Sequence, residues 1–557
     1  MNSRWLAYVM VLFASVSFGY GCKGDSGGDG GNFILVIETA PLDEQPEVPI
    51  ETRIGFRINA PIDPASLTTE TFFLTGGDGS IVPSTVMVGD EADIAELIPD
   101  QPLAVITDFT VTVTTDLQSP GGATLEEDFE WDFRTLDSAW GTPGWLEEVG
   151  TGVSDQHEIV VDGQSNALAV WEYTEDTGSG IWANHYTRVG LWEQPALISS
   201  GDMATTPQVA ADDAGNGFAV WAQSEGSSNT NIWTNRYVVD QGWGDPELLQ
   251  DGEVTPARLP SIVADPAGNA IATWAQQDLD ASAVEVIWAR RFEPGVGWGA
   301  AESIDEMPRA LVGRTALGMD RSGNAIAVWS RGTSLLWANR YTAGSGWGTA
   351  ELVKDDTSPP FRDQRLAVGA KGEAVVIWVQ DDPDFENIWG VRYAPGSNWG
   401  EPERIDEYAD GDKKQPDVAV DGMGVAHAVW SQDDPDFENI WANQYGPSSG
   451  WGTPVLIEPK NDDANEDGPA TVPRVGVNTS GNTFVVWRQI SEGWGSIWSN
   501  RIDRGEAWDE TRTELIENDG RAAKRPKIAV DKNRHAHAIW PHSVDNSIDW
   551  VRTNRFE

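Results

Sequence analysis

The stretch that decides the fold of most of this chain is Asp320-Arg-Ser-Gly-Asn-Ala-Ile-Ala-Val-Trp329, followed by Leu336-Trp-Ala-Asn-Arg-Tyr341 and Gly346-Trp347. Asp320 to Asn324 has the composition of a tight turn, in which Gly323 supplies a positive φ. The segment from Ala325 to Trp329 is apolar on both faces, as in a strand that is covered on each side. Helical periodicity is absent, so the pattern predicts short antiparallel strands joined by hairpins.

This unit recurs eight times, every 49–57 residues. The Trp that ends the apolar strand is found at Trp171, Trp221, Trp274, Trp329, Trp378, Trp430, Trp487 and Trp540. A second Trp follows in the Ile-Trp-Ala-Asn-Arg-Tyr segment, at Trp182, Trp233, Trp288, Trp337, Trp389, Trp441 and Trp498. Four short strands per unit, repeated many times, are typical of a β-propeller.

A third Trp begins a further strand, which follows each of the first seven units and also precedes the first. It is found at Trp140, Trp192, Trp243, Trp298, Trp347, Trp399, Trp451 and Trp508. The last unit has no such strand after it, and the unmatched strand lies before the first unit, at residues 140–149. We therefore expect residues 137–557 to form an eight-bladed β-propeller of four-stranded blades, with the ring closed by the N-terminal strand 140–149. The Asp-x-x-Gly-Asn hairpin resembles that of NHL-type propeller repeats, and the units lack the Ser-x-Asp-x-Gly-x-x-Trp box of sialidases.

Residues 33–136 have a different pattern. In Thr52–Ile58 and in Phe109–Thr114, large apolar residues recur at every second position. About seven such strands in about 100 residues predict a β-sandwich. The segment resembles the bacterial Ig-like domain of surface-layer proteins through Ala60-Pro-Ile-Asp-Pro-Ala-Ser-Leu67 and the closing Trp131-Asp-Phe-Arg-Thr135. In that family the domain is usually a spacer, so the resemblance implies a stalk and not a catalytic unit.

The N-terminus predicts export. Residues 1–21 contain one basic residue, Arg4, and an almost wholly apolar stretch from Trp5 to Phe18. This layout is typical of a secretory signal, and the stretch is too short for a comfortable membrane span.

Cys22, the only cysteine of the chain, follows this stretch directly. The arrangement resembles a bacterial lipoprotein signal, which implies that Cys22 is lipidated and that Lys23 directs the protein to the outer membrane. An ordinary secretory signal with an unrelated cysteine is the alternative. Residues 22–32 are rich in Gly and Asp and are expected to form a flexible tether.

The charge of the chain excludes some partners. With 37 basic and 88 acidic residues, the formal net charge is −51, so the surface would repel nucleic acid and anionic lipid headgroups. Aromatic residues make up 10% of the sequence, more than an acidic disordered chain contains. A single cysteine excludes an intrachain disulfide framework and a Cys-rich zinc site.

Few residues stand out as candidate sites. Asp463, Asn465 and Asp467 match the first half of a calcium loop, although Arg474 stands where a bidentate Glu is expected. A solvated acidic loop without calcium is the alternative. The repeated Trp residues are expected to pack between blades, and ligand binding would fall on the variable loops or on Trp residues outside the pattern. These are Trp145, Trp494 and Trp550.

A recurring Arg follows the second Trp of most units, at Arg236, Arg291, Arg340, Arg392, Arg501 and Arg555. We expect this Arg to pair with a nearby carboxylate or carbonyl, and a cluster that binds an acidic ligand is the alternative. No Gly-x-Ser-x-Gly elbow or phosphate-binding Gly loop stands out, so the sequence predicts no catalytic residue.

The sequence leaves three functions open. The first is a non-enzymatic surface lipoprotein whose propeller binds a glycan or a protein, with the membrane contacted only through its N-terminal lipid. The second is an extracellular glycosidase or lyase that acts on polysaccharide, and the third is a purely structural envelope protein. An enzyme should show a polar cluster from only a few blades, with a strongly perturbed carboxylate.

Overall fold

In this computed structural model, every regular element of the described residues is a β-strand. The structure describes residues 33–556 apart from residues 49–51, 78, 90, 101–102, 104–106, 136–138, 148–150, 177, 189–191, 202, 225–229, 251–254, 278–283, 306–312, 314, 356–358, 407–410, 434–436, 459–466, 492, 510–511 and 546–547. The prediction of an all-β chain is confirmed. Within the described residues, no helix is long and apolar enough to cross a membrane. The chain divides into two compact units, with the boundary in sequence between Ala139 and Trp140.

The first unit consists of two four-stranded sheets. Its strands are β1 (Val36–Ala40), β2 (Gln45–Val48), β3 (Ile54–Ile58), β4 (Phe72–Gly76), β5 (Ser84–Val88), β6 (Ile94–Pro99), β7 (Asp108–Val113) and β8 (Phe129–Thr135). One sheet has the order β1-β3-β6-β5 and the other has the order β2-β8-β7-β4. Neighbouring strands are antiparallel except for β2 and β8, which are parallel.

Alternating apolar residues build the core of the first unit. Ile54, Phe56 and Ile58 of β3 are buried, and so are the apolar residues of β7. The ring of Phe56 lies edge-on to the ring of Phe72 in β4, with 4.8 Å between the centroids, so the two sheets share one core. The two-residue periodicity predicted from the sequence is confirmed for these strands.

The second unit repeats one pattern of strands eight times, and β9 (Gly144–Trp145) precedes the first repeat. Repeat 1 contains β10 (Val153–Val161), β11 (Ala167–Glu175), β12 (Gly178–Tyr186) and β13 (Ala196–Leu197), and repeat 2 contains β14 (Ala204–Ala211), β15 (Gly217–Ser224), β16 (Thr230–Val238), β17 (Gly242–Trp243) and β18 (Glu247–Leu248). Repeat 3 contains β19 (Ala257–Ala264), β20 (Ala270–Gln277), β21 (Glu285–Glu293), β22 (Gly297–Trp298) and β23 (Glu302–Ser303), and repeat 4 contains β24 (Ala316–Met319), β25 (Ala325–Arg331), β26 (Leu335–Thr342), β27 (Gly346–Trp347) and β28 (Glu351–Lys354). Repeat 5 contains β29 (Phe361–Val368), β30 (Ala374–Asp381), β31 (Glu386–Tyr393) and β32 (Glu403–Arg404), and repeat 6 contains β33 (Lys413–Val420), β34 (Ala426–Asp433), β35 (Glu438–Gly446), β36 (Gly450–Trp451) and β37 (Val455–Leu456). Repeat 7 contains β38 (Asp467–Val477), β39 (Thr483–Ser491), β40 (Trp494–Ile502) and β41 (Glu514–Glu517), and repeat 8 contains β42 (Lys527–Val530), β43 (Ala536–Ser543) and β44 (Asp549–Phe556).

Each repeat has three long central strands and a short outer segment. The first, second and third strands pair antiparallel, and the outer segment pairs with the third strand. The outer segment is often divided, as in repeat 2, where β17 and β18 both pair with β16. Repeat 8 takes its outer strand from the beginning of the unit, because β9 pairs with β44.

The repeated Trp of each second strand is fully buried, with an exposed fraction of 0% in all eight repeats, and the strand continues beyond it instead of ending there as the sequence predicted. Each of the first seven lies opposite the Trp of the third strand, as Trp274 lies opposite Trp288. In repeat 8, Arg552 takes that opposite position. The prediction that these Trp residues serve packing is confirmed.

The hairpin between the first and second strands explains the repeated Asp and Gly. Asp265 accepts hydrogen bonds at Oδ1 from the backbone N–H groups of Ala267 and Asn269, each at 2.9 Å. Asn269 Nδ2 also donates to Asp265 Oδ2 at 2.8 Å. Gly268 has a φ of 86°, and a Cβ added there would lie 2.8 Å from Asp212 Oδ2 in the preceding repeat. Both the backbone conformation and the close approach therefore require glycine.

A side-chain amide on the third strand joins neighbouring repeats. Asn443 Nδ2 donates to the carbonyl of Ile405 in the preceding repeat at 2.8 Å and to the carbonyl of Gly452 in its own repeat at 3.0 Å. We call this pair of bonds the amide bridge. It is also made by Asn184, Asn235, Asn339, Asn500 and Asn554. Arg290 makes the equivalent bonds in repeat 3, and Val391 stands at this position in repeat 5.

Repeats 8 and 1 contact each other through the elements that neighbouring repeats use elsewhere. The first strands contact one another in chain order from β10 to β42, and β42 contacts β10. Asn554 bridges the carbonyls of Ile516 and Gly141. Arg555 Nη1 donates to Tyr186 Oη at 2.6 Å.

The amide bridge gives a test of these end-to-end contacts. We expect Asn554→Ala to lower the free energy of unfolding by about 1–3 kcal/mol, because two buried carbonyl groups lose their donor. Asn443→Ala, at an interface between consecutive repeats, should cost a similar amount, and Asn398→Ala in an exposed turn should cost little. Denaturant unfolding monitored by Trp fluorescence measures all three. A cost for Asn554→Ala as small as that for Asn398→Ala would contradict contact between the two ends.

Glu147 fixes the segment that follows β9. Its buried carboxylate accepts a hydrogen bond at Oε1 from the backbone N–H of Val551 at 2.8 Å. The hydroxyl of Ser154 and the indole N–H of Trp171 also donate to this carboxylate. Burial raises the pKa of Glu147 to about 7, against the opposing effect of these three hydrogen bonds. One carboxyl group thus reaches both repeat 8 and repeat 1.

This raised pKa predicts a pH-dependent stability. Between pH 4.5 and about 7, Glu147 ionises in the unfolded chain but stays protonated in the folded one, so its contribution to stability falls as the pH rises. We expect Glu147→Gln to remove this decline, so that the variant gains roughly 1–3 kcal/mol over the natural protein between pH 5 and pH 8. Glu302→Gln, at an exposed position, is the control. Thermal unfolding across this range is the measurement, and a pH-independent difference would show that Glu147 is already ionised.

Candidate functional site

The first strands of all eight repeats line one cavity of about 720 Å³ in the second unit, which we call the channel. One side chain from each repeat reaches it from the same position, thirteen residues before the buried Trp. We call these eight residues the channel ring. They are Glu158, Gln208, Ser261, Ala316, Arg365, Asp417, Arg474 and Lys527.

A β-bulge precedes the channel ring in most repeats. In β10, β14, β19, β29, β33 and β38, the pairing with the second strand shifts just before the ring residue. Two residues before the ring position, a residue other than glycine has a φ between 40° and 56° in each of these strands. They are Gln156, Thr206, Leu259, Asp363, Gln415 and Val472. Bulges redirect side chains, and backbone strain of this kind clusters at functional sites.

The ring carries an ion pair between the last repeat and the first. Lys527 Nζ lies 2.6 Å from Glu158 Oε1, and Gln208 Nε2 donates to the same oxygen at 3.1 Å. Burial would raise the pKa of Glu158, but the charge and hydrogen bond of Lys527 outweigh it and hold that pKa below its usual range. Burial lowers the pKa of Lys527. Glu158 is therefore an ionised carboxylate in the channel.

Asp417 connects three repeats of the ring. Its Oδ2 accepts a hydrogen bond from the backbone N–H of Val475 in the next repeat at 3.1 Å. Its Oδ1 lies 3.8 Å from Arg365 Nε in the preceding repeat. This carboxylate is held at the channel wall by both neighbours.

Two polar side chains of the channel wall have unsatisfied atoms. His157 is 4% exposed, and neither ring nitrogen has a hydrogen-bond partner among the described residues. Burial and the nearby Lys527 lower the pKa of His157 to about 3, so the imidazole is neutral. The Thr315 hydroxyl also has no partner within the described part of the chain, although its residue is buried. Buried polar groups of this kind are ordinarily satisfied, and both residues lie beside the cavity.

The candidate calcium loop lies almost entirely outside the described residues. Asp463 and Asn465 are not among them, Asp467 begins β38 without a described side chain, and Cys22 precedes the described region. Within the described residues, no group of three His, Cys, Asp or Glu side chains could hold a metal ion. The calcium site and the lipidated cysteine therefore stay predictions.

The recurring Arg residues lie outside the channel and have a partner that the sequence analysis missed. Each stacks on an aromatic ring of the next repeat, as the Arg340 guanidinium lies 4.7 Å from the ring centroid of Tyr393. The expected carboxylate partner is also present for Arg340, at 3.1 Å from Glu351. The other stacked pairs are Arg236 with Phe292, Arg291 with Tyr341, Arg392 with Tyr445, Arg501 with Phe556 and Arg555 with Tyr186.

The Trp residues outside the repeat pattern do not line the channel either. Trp145 and Trp550 lie edge to face with 5.6 Å between their centroids, and the guanidinium of Arg552 covers Trp145 at 4.7 Å. Trp494 is half-exposed at the start of β40. The first two are thus packing residues of repeat 8.

The sequence does contain a signal for the channel ring. Five first strands carry a proline directly before the ring residue, which is unusual inside a strand and typical of a bulge. The pairs are Pro207-Gln208, Pro260-Ser261, Pro416-Asp417, Pro473-Arg474 and Pro526-Lys527. Together with the charged and amide residues that follow them in otherwise apolar strands, these prolines could have predicted the channel ring.

Comparisons with known proteins identify one domain. Residues 34–135 match the family model of the bacterial Ig-like domain, in agreement with the resemblance seen in the sequence. No curated protein sequence matches the chain.

Solved structures with a similar backbone include three that cover most of the chain. Polysaccharide lyase Uly1 has 9% identity and a TM-score of 0.40, and the match covers 76% of this chain and 92% of that one. A protein of unknown function from Dyadobacter fermentans has 8% identity and a TM-score of 0.38, covering 75% and 99%. An intramolecular trans-sialidase from Ruminococcus gnavus has 10% identity and a TM-score of 0.32, covering 64% and 95%. With such low identities, substrate and activity have to be argued from the channel itself.

Proposed function

We propose that residues 140–557 are an eight-bladed β-propeller whose central channel binds a saccharide, on an exported, lipid-anchored surface protein. The contacts of β42 with β10, the pairing of β9 with β44 and the amide bridge of Asn554 support a closed ring. The Ig-like domain at residues 34–135 would then act as the spacer between the lipid and the propeller.

The observation that carries the proposal is the diversity of the channel ring. The buried Trp is the same residue in all eight repeats, because each copy packs in the same way. At the ring position, by contrast, the eight copies carry seven different residue types, and seven of the eight side chains are polar or charged. Packing does not require this variety, whereas an asymmetric ligand does.

The chemistry of the channel favours a hydroxyl-rich ligand. Its volume of about 720 Å³ lies within the range of small-molecule sites and would accommodate a short saccharide. Ser261 and Gln208 offer hydroxyl and amide groups along the channel. These groups match sugar hydroxyls, which also donate and accept.

Binding is better supported than acid–base catalysis. Glu158 is held ionised by Lys527, and His157 is held neutral, so neither acts as a proton donor at neutral pH. The carboxyl groups with a raised pKa do not line the channel; among the described residues they are Glu147, Glu172, Asp406 and Glu517. We therefore favour a binding protein over the polysaccharide-cleaving enzyme.

The lipid anchor has its own test. We expect Cys22→Ser to move the protein from the membrane fraction to the soluble exported fraction, because the acylated residue is lost. Fractionation of cells with the natural sequence and with Lys23→Arg as a control measures this. A variant that stays in the membrane fraction would contradict lipidation at Cys22.

The channel site is tested by blocking it. We expect the purified protein to bind one saccharide class on a glycan array, and Ala316→Trp to weaken that binding at least about tenfold by filling the channel. Ala267→Trp, in an exposed hairpin turn, adds the same side chain outside the channel and should bind normally.

The array is read with calcium and with chelator, which also tests the loop around Asp463. Release of a shortened product would favour the enzyme instead, and binding that survives Ala316→Trp would move the site away from the channel.

A further inference from the structure

Basic side chains are concentrated on one side of the channel. Arg365, Arg474, Arg525 and Lys527 all line it, and they belong to repeats 5, 7 and 8 only. In a chain with 37 basic and 88 acidic residues, such a grouping runs against the overall composition. Four carboxylates also line the channel, those of Asp155, Glu158, Asp363 and Asp417, so their positions decide which cation is left without an ion pair.

The carboxylates of the channel compensate these cations unevenly. Glu158 lies 2.6 Å from Lys527, and Asp417 lies 3.8 Å from Arg365. No carboxylate oxygen of the described residues lies within ion-pair distance of Arg474, whose Nη1 donates to the carbonyl of Pro473 at 2.7 Å. Burial lowers the pKa of Arg474, while the charges of Asp417 and Glu158 oppose this and those of Arg365 and Arg525 add to it. Among the ring cations of the described residues, Arg474 is the one without an ion-pair partner.

The opposite side of the channel is neutral. Repeats 2, 3 and 4 contribute Gln208, Ser261 and Thr315, and the Thr315 hydroxyl has no partner among the described residues. One side of the channel therefore offers hydroxyl and amide groups, while the other offers guanidinium groups. A ligand that fits both sides carries hydroxyl groups and an anionic group on one small framework.

We propose that the saccharide bound in the channel is a sugar acid whose carboxylate is bound by Arg474, with Arg365 and Arg525 adding favourable charge. The guanidinium group can bind both oxygens of a carboxylate at once, which a neutral sugar cannot exploit. Hydroxyl groups of the same sugar residue face Ser261 and Gln208. This inference rests on the proposed function and names its ligand class.

Paired probes that differ only in charge test the proposal. Short oligomers of galacturonate, glucuronate and mannuronate are each compared with their fully methyl-esterified forms, which keep the hydroxyl groups and lose the charge. We expect at least one acid to bind about tenfold more tightly than its ester, as a charge-assisted pair provides. Calorimetry on the purified full-length protein gives both dissociation constants.

Two matched variants locate the effect. Arg474→Gln should abolish the preference for the acid while the ester binds as before, and Arg321→Gln, which removes an exposed guanidinium outside the channel, should change neither. Thermal unfolding of each variant verifies that the fold is retained.

The outcomes separate the inference from the function on which it rests. Equal binding of acid and ester overturns the inference, and so does a preference that survives Arg474→Gln. A neutral glycan that binds in the channel while all three acids fail overturns the inference and leaves the proposed function in place. If no saccharide binds at all, the proposed function falls with it.

Discussion

The amide bridge is the interaction on which the second unit depends. Each sheet presents apolar faces to its neighbours, and apolar packing alone does not fix the angle or the register between two sheets. The side-chain amide of Asn443 does so, because its two donors must meet a carbonyl in each of two repeats. The stack of the Arg392 guanidinium on Tyr445 adds a second directional contact at the same interface, between repeats 5 and 6. Repeated around the unit, these contacts bring the first strands together and so create the channel.

Most of the fold was predictable from the sequence because its features recur at regular spacings. Eight copies of one Trp and six of the Asp hairpin indicated the strands and their turns. The alternation in Thr52–Ile58 indicated the sandwich core, because apolar residues recur there at every second position. The partners of the recurring Arg were missed for the opposite reason. Arg340 and Tyr393 are about fifty positions apart along the chain, and only the packing of two repeats brings them together.

The channel ring was missed because a search for repetition passes over a position where the copies differ. Glu158, Arg474 and Lys527 share a place in the repeat but neither size nor charge sign. The proline that precedes many of them marks a bulge, yet its consequence for side-chain direction depends on the strand pairing, which the sequence alone does not show. The ion pair of Lys527 with Glu158 could not be predicted either, because the two residues are 369 positions apart in the chain and only the fold brings them together.

Next to the bulge in the first strand, two neighbouring positions are under different selection, one for what the channel binds and one for packing. The residue after the ring position, such as Ile262 or Val418, is buried in an inter-sheet core, whereas the ring residue itself faces the channel. A codon change at the ring position therefore alters what the channel recognises with little effect on folding, and a change one codon later does the reverse. Tandem duplication of a segment of about fifty codons thus supplies several recognition positions that can diverge independently on a scaffold that stays the same.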